Sequence, residues 1–270
     1  MNMDFSVKDF NVRLRTIRIW EVVIALVVAF FLTGFTCDYF GIYSGEAEYI
    51  IFFLYMMVFF AIASIGTHGF KDDIYGVFKA SNLFKVIMIV IPNMLLAFFI
   101  QQHLAGFDAM FNNINLLALP VSDLAYEASN PLLFLFEFFS AIFIAPISEE
   151  LFFRGILFNR LKIRKGVIFG VVVSSIIFGL CHFNYPDHLA HIIYTCLFGM
   201  CLCILYLRTD NLLINMFAHF LYNLLSYVIV YTPIGDLFLG GPFMDFTVIV
   251  LLFSIVFVPA YIFYFSIKLK

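Results

Sequence analysis

The sequence predicts an all-α protein, a polytopic integral membrane bundle of about eight transmembrane helices, and three observations carry that expectation. Hydrophobic residues fill 64% of the 270 positions and charged residues only 12%. The mean hydropathy is +1.03, far above that of a soluble domain. Apolar runs recur at lengths near the roughly 20 residues needed to cross about 30 Å of hydrocarbon.

In chain order, spans are expected at residues 17–36, 49–67, 83–101, 131–158, 166–183, 189–207, 211–232 and 246–267. The first run is long enough to span and lacks a small-residue cleavage site, so it reads as an uncleaved helix and not as a signal peptide. Between the third and fourth spans, residues 102–130 carry Gly106, Asn112, Asn113, Asn115, Pro120 and Asn130, the composition of an external loop. Gly166 and Gly170 form a small-xxx-small pair suited to close packing of the fifth span. The five cysteines, Cys37, Cys181, Cys196, Cys201 and Cys203, include no CxxC pair and read as small apolar residues, not as disulfides or a metal knuckle. No internal repeat or low-complexity tract is visible.

Eight crossings place both termini on one side, and the charges identify it. Lys8, Arg13, Arg15, Arg18, Lys71, Lys79, Lys85, Arg160, Lys162, Arg164, Lys165, Arg208, Lys268 and Lys270 all fall on that side. The opposite side holds Asp38, Glu46, Glu48, Asp108, Asp123, Glu127, Asp187, Asp236 and Asp245 with no lysine or arginine, which assigns both termini to the cytoplasm. The net charge of −3 therefore says little, and no basic surface points to nucleic acid.

One basic residue breaks the sorting. Arg154 follows Glu149 and Glu150 inside the fourth span. An ionised side chain near the bilayer centre costs roughly 2.5–3.5 kcal/mol, so three within six residues imply partners and a task. His182, His219 and Asn223 are candidate partners from later spans. Adjacent helical residues point about 100° apart, so one glutamate is expected to face a cavity while the other meets Arg154 at i, i+4. Measured from Arg160 and Arg208 respectively, Glu149 and His219 lie about 16 Å deep, and measured from Lys165 His182 lies about 25 Å deep, about 9 Å out of register. Asn223 sits one turn beyond His219.

Each residue also has a plainer reading. Glu150 and Arg154 suit a structural ion pair, and a lone membrane histidine or asparagine often hydrogen-bonds between helices. Glu21 and Glu137 lie near span ends, His188 and His191 read as surface residues, and His68 and His103 close loops. A transporter with a buried proton relay would use similar residues, but it predicts inverted repeats, which are not visible.

The stretch Ala145-Pro146-Ile147-Ser148-Glu149-Glu150-Leu151-Phe152-Phe153-Arg154-Gly155 resembles the EExxxR motif of the CAAX-protease and bacteriocin-processing (CPBP, or Abi) intramembrane proteases. Phe178-Gly179-Leu180-Cys181-His182 is similar to that family's FxxxH motif, and His219-Phe220-Leu221-Tyr222-Asn223 to its HxxxN ending. Three motifs occur in order over residues 145–223. The resemblance covers the C-terminal half and implies a catalytic core over 131–232; the N-terminal helices and external loop over 1–130 add only a compatible topology, and the apolar pattern gives an external loop with a C-terminal helix over 233–270.

It further implies an endopeptidase of glutamate or metallo type acting on a peptide or membrane-anchored protein within the lipid bilayer. Glu149 would be the general base, His182 would hold the water, His219 and Asn223 would donate to the oxyanion, and Glu150 with Arg154 would orient the site. The family is often labelled metalloprotease, and a zinc held by His182, His219 and Glu149 is the alternative; HExxH is absent, and the metal-free route is preferred. High Phe, Ile and Asn usage suits an AT-rich bacterial genome and hence a bacterial plasma membrane, with roles such as bacteriocin immunity or pheromone processing. A non-catalytic scaffold or immunity protein of the same fold is the competing function.

Overall fold

The computed structural model describes residues 14–15, 17–42, 45–63, 70–112, 134–135, 138–182, 188–239 and 241–268. Among the described residues every regular element is helical. Helices α1 (Ile19–Phe40), α2 (Gly45–Ala63), α3 (Phe70–Val77) and α4 (Ala80–Asn112) lead into a composite helix. That helix runs from a π-helical turn, π1 (Ser140–Ile144), through α5 (Ala145–Glu150) and a second π segment, π2 (Leu151–Phe158), to α6 (Asn159–Lys165). After it come α7 (Val167–Leu180), α8 (His188–Thr209), α9 (Leu212–Tyr231), α10 (Ile234–Leu239) and α11 (Met244–Lys268).

The chain is a polytopic helical membrane protein. Residues 19–40, 80–101, 189–209, 212–231 and 244–265 are long and apolar enough to span, and the shorter apolar helices 47–63 and 167–180 accompany them. Helices solve the bilayer problem because every backbone polar group is paired within its own segment. Phe30, Phe31, Phe35 and Val256 stand about 70% exposed, as lipid-facing residues should.

Two sequence expectations are corrected. Residues 102–112 belong to α4, not to an external loop, because the apolar helix continues past Gly106 to Asn112; the loop's remainder, 113–130, lies outside the described residues. The fifth span ends at Leu180 and not at residue 183, so His182 lies on the turn beyond it, where its backbone N–H bonds Gly179 O at 2.9 Å. Lys8, Arg13, His68, Asp123, Glu127, Glu137, Asp187 and Lys270 lie outside the described residues.

Helix α8 is the hub, with Phe198, Leu202, Cys203, Ile204 and Tyr206 each no more than 2% exposed. It joins a cluster over α1, α2, π2 and α9 to a second over α4, α9 and α11. Between membrane helices the drive is close packing and not escape from water, so small residues matter. A Cβ on Gly179 of α7 would stand 2.3 Å from Cys196 Sγ and 2.7 Å from Ile192 O of α8, which only glycine permits. Gly166, at φ 92, reverses the chain between α6 and α7, while Gly170 packs on Phe158 and the Lys162 backbone.

The π turns have a sequence cause. Ala145 N–H bonds Ser140 O, an i→i+5 bond that leaves Ala141 O facing position 146. Pro146 has no N–H to offer. The orphaned carbonyl is taken by Asn223 Nδ2 of α9 at 2.7 Å. At the other end, Asn159 Nδ2 covers Arg154 O at 3.0 Å and Gly155 O at 2.9 Å. Such π irregularities inside α-helices frequently mark functional sites.

The ends of these elements are tied together. Leu14, fully buried, packs against Gly155, and Arg160 Nε donates to Ile17 O at 2.6 Å. Arg15 pairs with Asp210 and donates to Tyr206 Oη. Asn211 Oδ1 accepts from Leu213 N at 2.9 Å and Ile214 N at 3.3 Å, the cap that starts α9 and so sets the height of His219.

Candidate active site

The register problem of the sequence disappears in the composite helix. Glu149 lies 17 residues before Gly166 and His182 lies 16 after it, so the two arms of one hairpin bring them level within about 2 Å. Arg160 was the wrong reference, since its helix runs on to Lys165.

Glu149 and Glu150 then diverge as neighbours on a helix must. Glu150 is fully buried. Its Oε1 accepts from Arg154 Nη1 at 2.7 Å and meets His219 Nδ1 at 3.0 Å, and its Oε2 accepts from Asn215 Nδ2 at 3.3 Å. Arg154, 1% exposed, also reaches Gly199 O at 3.3 Å and lays its guanidinium 4.4 Å over the Phe178 ring. A Cβ at Gly199 would stand 3.3 Å from Arg154 Nη2, so this glycine makes room for the cation.

Glu149 faces a different place. Its Oε2 is buried and has no hydrogen-bond partner among the described residues. Two imidazoles aim at it: His182 Nε2 at 3.8 Å and His219 Nε2 at 3.9 Å. Both rings are turned by their other nitrogen, since His182 Nδ1 bonds Phe178 O at 2.7 Å and His219 Nδ1 bonds Glu150. A carbonyl only accepts, so His182 carries its proton on Nδ1 and presents the Nε2 lone pair to Glu149. Contacts of this length between polar atoms suit a bridging water.

The structure brings Glu149, Glu150, Arg154, His182 and His219 together. Asn223, next in the sequence set, spends one N–H on Ala141 O and so ties α9 to the turn ahead of Glu149. Sequence reasoning missed Asn215, which lies one turn before His219 and holds Glu150 and Leu202 O. It was legible as a third polar residue on that face. His191, read from sequence as a surface residue, is half-buried beside His182. His188's side chain lies outside the described residues.

Two imidazole nitrogens and a carboxylate oxygen have the donor chemistry of a catalytic zinc. Ligands of a tetrahedral zinc stand about 3.3–3.4 Å apart, so the distances here are about half an ångström wide. No group of three or more His, Cys, Asp or Glu closes to a metal-ligand set among the described residues.

Residues 131–225 match the sequence model of the Rce1-like family, described as "Type II CAAX prenyl endopeptidase Rce1-like". A 93-residue stretch is 30% identical to "Putative membrane peptidase YdiL" of Bacillus subtilis (strain 168), covering 34% of this chain and 36% of that protein. This chain thus matches about a third of the curated relative's length. No solved structure matches it. Residues 131–225, which hold the three motifs, thus resemble the CAAX-type membrane proteases, and the likeness does not extend to the rest of the chain.

Proposed function

We propose that this protein is an intramembrane endopeptidase that hydrolyses a peptide bond of a membrane-associated or exported peptide or protein, using a water activated by Glu149. The observation that carries the reading is Glu149 Oε2, buried without a hydrogen-bond partner among the described residues and flanked by two imidazole nitrogens. A water there donates one hydrogen to Glu149 and one to His182 Nε2. Glu149 takes its proton as the oxygen adds to the scissile carbonyl carbon. Negative charge then develops on the carbonyl oxygen, for which the second N–H of Asn223 and the Nε2–H of a doubly protonated His219, its Nδ1–H held by Glu150, are the proposed donors. Collapse breaks the C–N bond, and the proton held by Glu149 passes to the leaving amine.

Glu150 and Arg154 act through position. Their pair holds His219 by Nδ1, which keeps Nε2 toward Glu149. Were zinc bound, Glu149, His182 and His219 would hold it, and it would polarise the carbonyl as a Lewis acid. We place the enzyme in a bacterial cytoplasmic membrane with both termini inside, supported by the sorting of basic residues.

Glu149→Gln keeps the side chain's shape and removes the base. Cleavage should fall at least about 10²–10⁴-fold in purified membranes at unchanged expression. Full processing by that variant would leave a non-catalytic scaffold as the better reading. Elemental analysis of the active protein decides the metal: about one zinc per chain, with activity tracking occupancy, would replace the metal-free account.

A further inference from the structure

Of the residues that meet at Glu149, His182 alone stands outside a helix. Sites built on helices hold their geometry better than sites on turns, so this imidazole needs support from other elements. Phe178 supplies some of it, through its carbonyl and through a ring that meets His182 edge-on at 4.7 Å and 66°.

The opposite element completes the support. His191, on the first turn of α8, stacks on His182 with the rings 13° from parallel and their centroids 5.7 Å apart. Tyr194, three residues on, shares a hydrogen bond between its hydroxyl and His191 Nδ1 and so fixes the rotation of that ring. The backbone beneath is fixed as well, because Gly179 of α7 sits against Ile192 O and Cys196 of α8. A stack of this kind needs only flat rings at fixed height.

Resting on the peptidase reading above, we propose that His191 and Tyr194 form a positioning pair that holds the His182 ring with Nε2 toward Glu149. His191 touches no reacting atom in this role. It acts by denying His182 the rotations that its turn would otherwise permit.

The test uses the full chain in detergent and a pool of internally quenched peptides that the wild type cleaves and Glu149→Gln does not. His191→Ala should lower kcat about 10- to 100-fold with KM nearly unchanged, the range expected for displacement of a group by about 1 Å. His191→Phe, which keeps a flat ring, should restore kcat to within about threefold, and Tyr194→Phe should lose less than His191→Ala. A second readout does not depend on cleavage: carbethoxylation of His182 by diethylpyrocarbonate, mapped by mass spectrometry, should speed up in His191→Ala and return in His191→Phe. The proposal is overturned if His191→Ala leaves both kcat and the His182 modification rate unchanged, or if His191→Phe is as impaired as His191→Ala. Absence of any Glu149-dependent cleavage by the wild type would sink the peptidase reading instead, and the modification rates would still decide this pair.

Discussion

Glu149 and Glu150 are adjacent in sequence, yet the site they form has two unlike halves. Around Glu150, four polar side chains from α5, π2 and α9 close on one another, and Glu150 and Arg154 are sealed at 0% and 1% exposure. Around Glu149, the side chains of Glu149 and His182 retain 13% and 17% exposure, and the facing atoms stand too far apart to bond directly. In the first half the Glu150 carboxylate is matched by protein donors, whereas in the second Glu149 Oε2 is matched by none among the described residues. A carboxylate fully matched by its neighbours has no capacity to take a proton from a reactant, whereas an unmatched one does. In the proposed mechanism the arrangement divides labour: the sealed half fixes His219, and the open half performs the chemistry.

The sharpest way to break that division is to attack the sealed half. Arg154→Ala leaves Glu150 buried with one cation removed, and breaking a buried pair from one side costs about 3–5 kcal/mol. Folded protein should therefore fall in membranes and the unfolding midpoint should drop, whereas Glu149→Gln should leave both intact. Equal loss of folded protein in the two variants would show that the halves are one structural unit.

The broad fold was legible because lipid leaves the chain few options: apolar runs of spanning length must be helices. The Glu150–Arg154 pair was legible from i, i+4 spacing. Other features depended on tertiary context. Leu180 runs on into Cys181 and His182 without a break that the sequence would mark, and nothing local announces that α7 stops at Leu180. The first π turn needs Pro146 and a remote Asn223 together, a pairing that no window of sequence contains. His191 sits three residues into α8, where proximity to a helix end suggested the surface; its contact with His182 comes from the close approach at Gly179.

Asn223 ties α9 to the composite helix and is also a proposed oxyanion donor, so its removal should show in both stability and turnover. Ala141 O lies in the composite helix and loses its donor in Asn223→Ala, a desolvation cost of about 1–3 kcal/mol. If the second N–H also serves the oxyanion, turnover should fall by about 10²–10³-fold while KM changes little. The measurement is paired: unfolding midpoint and kcat on the same preparation. A drop in stability with unchanged kcat would make Asn223 a strut alone and leave the oxyanion to His219.

The smallest effect should come from Asn215, the residue the motifs do not include. Its Nδ2 serves Glu150 Oε2 at 3.3 Å and Leu202 O at 2.8 Å, while its Oδ1 is buried with no hydrogen-bond partner among the described residues. Asn215→Ala takes a weak donor from Glu150 but also removes an unsatisfied acceptor, so the two consequences oppose each other. Arg154 and His219 still hold Glu150 Oε1, and the pair should survive. The net cost should stay near the low end of about 1–3 kcal/mol, with kcat within about tenfold of the wild type. Loss of cleavage as deep as in Glu149→Gln, at unchanged stability, would mean that Asn215 sets the His219 ring and that the sealed half takes part in the chemistry.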